Sequence, residues 1–113
     1  MPSPLSIRTV KLHGDYACKL IVWPDRKAIQ RLPDCADACA VFIYSEQHWR
    51  TIGQIHLTYN APISHVVHEC YHAVQELGRR LGGRGRKREE TLALATEKAV
   101  CGVLRGLRRY NRP

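Results

Sequence analysis

The chain lacks most features that place a protein at first sight. None of its 113 residues belongs to an apolar run near the roughly 20 residues of a membrane span, so a soluble protein is expected. Met1 to Ser6 bring neither a basic start nor an apolar stretch, so no signal peptide is expected and a cytoplasmic location is. Its five cysteines, Cys18, Cys35, Cys39, Cys70 and Cys101, are odd in number and lack the dense spacing of a disulfide scaffold, which favours reduced thiols. Without internal repeats or a long linker, residues 1–113 read as one domain with one core.

Acidic residues are scarce in one region only. Residues 1–78 hold seven Lys/Arg and seven Asp/Glu, whereas residues 79–113 hold eleven Lys/Arg and three Glu, so the whole formal charge of +8 lies in the last third. Arg79, Arg80, Arg84, Arg86, Lys87 and Arg88 form its densest part, interleaved with glycine. Such a segment is either a solvated surface or a site for a nucleic acid or an acidic protein. No aromatic residue accompanies these cations, so stacking on single-stranded bases is not supported.

What is present reads as strands followed by helices. Val10 to Leu12 and Tyr16 to Trp23 are β-favouring runs around the turn-like His13-Gly14-Asp15, and Pro24-Asp25 ends the second. Arg26 to Leu32 suits a short helix. Ala38 to Tyr44 and Gly53 to Tyr59 suit two more strands joined through Gln47 to Thr51. From Ile63 to about Arg80 the period turns helical, with Ile63, Val66, Val67, Cys70, Val74 and Leu77 on one face and Asn60 or Ser64 as candidate cap. A Gly-rich loop and a last helix from about Arg88 to Arg109 follow. The order predicts an α+β fold, a small, mostly antiparallel sheet packed on two helices.

The chemistry lies in His68-Glu69-Cys70-Tyr71-His72, an HExxH pattern. Residues four apart on a helix share a face, so two imidazoles can grip one Zn²⁺, one ion per chain. Glu69 stands beside them to take a proton from a water that the ion has acidified. The competing view makes His68 and His72, with His65 and Gln75, the polar side of an amphipathic helix. His65, three residues earlier, is a further candidate for the ion or for orienting a ligand.

A hydrolytic zinc site commonly takes a third protein ligand. Glu90, Ala93, Glu97, Val100, Leu104 and Leu107 follow a 3-4-3-4-3 spacing, which predicts two carboxylates on an otherwise apolar stripe. Glu90 is the preferred ligand, then Glu97, then Glu89. Cys35 and Cys39 form a weaker chelating or redox pair, since C-x₃-C alone is not a usual zinc pattern. Trp23 and Trp49 read as packing residues; His13 and His48 are isolated.

At these residues the chain resembles the Glu-type zincin metallopeptidases, in which HExxH lies on one helix and a glutamate on the next completes the site. The similarity spans Gly53 to Leu104 and is greatest to small phage-encoded and ImmA/IrrE-like zincin proteins, whose second helix carries ExxA, here Glu90-Thr91-Leu92-Ala93. It implies a minimal zincin-like domain that hydrolyses peptide bonds, with Glu69 as general base. It also implies a substrate extended along an edge strand, here expected at His56, Leu57, Thr58 and Tyr59, and a transition-state stabiliser beyond the motif, for which Tyr110 is the only downstream tyrosine.

Overall fold

The structure, a computed structural model, describes residues 3–46 and 50–111. Seven elements follow one another: β1 (Ser6–His13), β2 (Tyr16–Trp23), α1 (Arg26–Gln30), β3 (Val41–Tyr44), β4 (Thr51–Thr58), α2 (Ile63–Leu81) and α3 (Arg86–Arg108). The fold is α+β, as the sequence predicts, and each expected element forms within a few residues of its expected span. His48 and Trp49 lie outside the described residues. Among the described residues no helix is long and apolar enough to cross a membrane.

The sheet order is β1-β2-β4-β3. β1 with β2 and β3 with β4 are antiparallel, but β2 and β4 run parallel, so the sheet is mixed. Between Thr51 and Gln54, β4 carries one residue more than the facing stretch of β2. Such an irregularity flips side-chain parity, which is how Ile52 and Ile55, an odd number apart, both reach the main core.

That core lies between one sheet face and the two long helices. Leu12, Leu20, Val22, Ile55 and Leu57 meet Val66, Cys70, Leu77, Ala99 and Val103 there. Ile21 and Trp23 turn to the opposite face and pack on Ala28 and Ile29 of α1. Asp25 caps α1 by accepting a hydrogen bond from the Ala28 N–H at 3.0 Å. Pro62, rather than Asn60 or Ser64, occupies the cap of α2 and makes no side-chain bond there.

α2 buries four of its six predicted face residues, whereas α3 turns differently from its predicted face. On α2, Ile63 and Val67 are exposed, while Val66, Cys70, Ala73, Val74 and Leu77 are buried together with Glu69. On α3 the buried residues are Ala95, Ala99, Val103, Gly106 and Leu107, and Glu90, Ala93 and Glu97 face solvent. Two desolvated carboxylates without cations cost several kcal/mol, more than the roughly 1.5–3 kcal/mol from burying a Leu. The helix therefore exposes Leu94 and Leu104 and lays its small residues on the sheet. A Cβ at Gly102 would come within 2.7 Å of Val10 Cγ1, and one at Gly106 within 2.6 Å of Leu20 Cδ2.

Candidate metal centre

One helical turn separates His68 from His72, and both rings lie on the exposed side of α2. Their centroids are 4.7 Å apart, with planes at 76°, and the two Nε2 atoms are 3.1 Å apart. Zinc–nitrogen bonds of about 2.0–2.1 Å at a tetrahedral angle would set two ligand nitrogens about 3.3 Å apart. The pair is thus nearly spaced for one ion. Tyr71 meets the His72 ring edge-on, with centroids 5.9 Å apart.

Glu69 faces inward, 5% exposed. Ligand atoms of His68, Glu69 and His72 all lie within 4.8 Å of one another, a donor set of two nitrogens and a carboxylate that suits a divalent ion. Burial pushes the Glu69 carboxyl above its usual range, against the opposing pull of His68 and His72, of a hydrogen bond from the Phe42 backbone N–H, and of His65.

The Phe42 bond ties the motif to the sheet. Ser45 donates its N–H to the Ile52 carbonyl at 2.9 Å, so by antiparallel alternation residues 41 and 43 also turn to β4, while Phe42 and Tyr44 turn outward. β3 is therefore the free edge beside the motif. Its Val41, Phe42 and Tyr44, with Ala40 just before it, form one wall of a cleft of about 730 Å³, and His68, Glu69, His72, Gln75, Glu76 and Arg79 of α2, with Arg88 of α3, line the rest.

This geometry corrects the predicted substrate strand. β4, which holds His56, Leu57 and Thr58, lies between β2 and β3, so its backbone is paired on both sides; Tyr59 follows its end. The alternation around Ile55 and Leu57 reflects one face on the main core, not an edge. His56 is buried: its Nδ1 accepts from Trp23 Nε1–H at 2.9 Å, and its Nε2 lies 2.9 Å from Gln54 Oε1. It is a packing residue rather than a substrate contact.

The third-ligand candidates also fall elsewhere. Glu90, Glu97 and Glu89 are exposed on α3, and none joins the donor group among the described residues. His65 is half-buried and borders a separate depression with Thr58, Tyr59 and Pro62. Tyr110 packs edge-on against Tyr59, with centroids 6.4 Å apart, and does not line the cleft. All five thiols are free, including Cys35 and Cys39. Of the six clustered cations, Arg79 and Arg80 belong to the last turn of α2 and both pair with Glu76; Arg80 is also half-buried and donates to the Ser45 carbonyl.

Sequence reasoning missed Glu76 and Tyr44 as cleft residues. Glu76 was open to detection: it stands four residues after His72, with arginines three and four residues on, an arrangement that pairs charges on one helix face. Arg88 stood out in the sequence only as one of the clustered cations, and its place in the cleft depends on how α3 crosses α2. Comparison with protein-family models, curated proteins and solved structures gave no match to this chain.

Proposed function

We propose that this chain is a metal-dependent peptidase in which His68 and His72 hold a zinc ion and Glu69 moves the proton. The observation that carries this reading is the pairing of two solvent-facing imidazoles, 3.1 Å apart at Nε2, with a buried carboxylate in the same donor group. A divalent ion held there would supply a Lewis acid and lower the pKa of water toward neutrality. The chain's own part is to position and exchange the proton. Glu69, fixed by the Phe42 N–H and raised by burial, takes a proton from the attacking water and returns it to the leaving nitrogen. β3 offers the Tyr44 N–H and the Phe42 and Tyr44 carbonyls to an extended peptide, since the Phe42 N–H already serves Glu69. Five free thiols suit the reducing cytoplasm as its setting.

The test is elemental mass spectrometry of protein purified without chelators or a metal-binding tag, joined to a peptide-library digestion. Wild type and Glu69→Gln should each carry about one zinc, and Glu69→Gln should lose hydrolysis by about 10²–10⁴-fold. His68→Ala and His72→Ala should lose the ion. Glu90→Ala should keep it, because Glu90 stands outside the donor group. Wild type that takes up no metal, or a Glu69→Gln chain that hydrolyses at the wild-type rate, would overturn the reading.

A further inference from the structure

Beyond His72 the cleft has a charge balance that the metal pair does not explain. Glu76, Arg79 and Arg88 line it there. The Glu76 carboxylate is spent: it accepts from Arg79 Nε at 2.9 Å and Nη2 at 2.7 Å, and from Arg80 Nε at 2.8 Å. Arg88 has no carboxylate partner among the described residues. Its Nε donates to the Gly82 carbonyl at 3.2 Å, and its guanidinium lies over Gly78, where an added Cβ would come within 2.7 Å of Nη2. Backbone contacts thus seat this cation in the cleft wall and leave its charge uncompensated.

The seat has a defined place relative to the chemistry. Gly78 follows His72 by six residues, about 9 Å along a helix, and Phe42 to Tyr44 spans about 7 Å of strand. A peptide extended along β3, with its carbonyl at the histidine pair, brings a side chain two or three residues away into reach of Arg88. A guanidinium with free N–H groups pairs best with a carboxylate, through charge-assisted and often bidentate bonds. We infer that the cleft selects peptides bearing an acidic side chain two or three residues to one side of the reacting carbonyl, with Arg88 as the specificity-determining residue. This rests on the peptidase reading above.

The experiment is direct binding, so that it stands apart from turnover. Two fluorescein-labelled octapeptide pools, uncharged and random except for a central Glu in one and Gln in the other, are titrated by anisotropy against the Glu69→Gln chain, with and without zinc. The Glu pool should bind about tenfold tighter, the gain of one charge-assisted hydrogen bond. Arg88→Gln should abolish the difference, Arg88→Glu should shift preference to a Lys pool, and Gly78→Ala, which displaces the guanidinium without removing it, should reduce it. Arg84→Gln and Arg86→Gln should leave it intact. Equal affinity for the two pools, no binding of either, or a preference that survives Arg88→Gln overturns the inference. Failure to take up zinc sinks the peptidase reading alone, because the charge preference is still read in the metal-free protein.

Discussion

Burial treats His56 and the His68/His72 pair in opposite ways. The pair faces solvent and, among the described residues, its Nε2 atoms meet only each other, whereas both His56 nitrogens are bonded within the protein, and Nδ1 must stay unprotonated to accept from Trp23. Burial lowers the His56 pKa from 6.5 to about 4. The unfolded chain therefore takes up this proton first as pH falls, so the stability from the neutral ring is full above pH 6.5 and is lost between about 6.5 and 4. The loss approaches about 3 kcal/mol. Glu69, raised by burial, acts in the other direction over the acid part of that window. Urea unfolding at pH 7.5, 6 and 5 would show a falling midpoint in wild type and a flatter profile in His56→Gln. An equal pH dependence in both chains would exclude His56 as its source.

At the scale of elements, α3 is defined by what it lacks. Its sheet-facing side carries Ala95, Ala99, Gly102 and Gly106, so the helix approaches the strands closely. Gly106→Ala should cost about 1–3 kcal/mol by overpacking against Leu20, although alanine gains about 1 kcal/mol in helix propensity. Thermal unfolding would measure the balance, and a stabilised variant would mean that α3 sits farther from the sheet. The same face shows where sequence reasoning held and where it did not. Strand and helix existence were legible, because His13-Gly14-Asp15, Pro24-Asp25 and the glycines after Leu81 punctuate the chain strongly. HExxH fixed one helix face through its own spacing. The orientation of α3 was not legible, since Glu90-Ala93-Glu97 and Leu92-Ala95-Ala99 both satisfy a helical period and only contact with Val10 and Leu20 decides between them. Nor was the edge strand, because β4 enters the middle of the sheet beside β2, a pairing no local pattern records.

For the whole molecule, the proposed zinc site couples to folding. His68 and His72 come into register only when α2 is helical, so an ion bound there stabilises the native state alone. At a free zinc concentration near 100 times Kd the gain is about 2.7 kcal/mol, or roughly 10 °C in Tm for a domain of this size. Scanning calorimetry should find that rise in wild type and none in the double variant His68→Ala/His72→Ala. A rise in both would place the ion elsewhere. The two rims of the sheet carry a different consequence. β3 exposes only four residues at its flank, but β1 leaves eight along the other, with Ile7 60% exposed. An unpaired strand of that length is a template for another copy, and Arg8 and Lys11 on β1, backed by the formal charge of +8, oppose such stacking by repulsion. Salt shortens the range of that repulsion from about 8 Å at physiological strength to about 3 Å at 1 M. Self-association through β1 should therefore grow with ionic strength, and light scattering of concentrated protein in dilute buffer and in about 1 M salt would measure it.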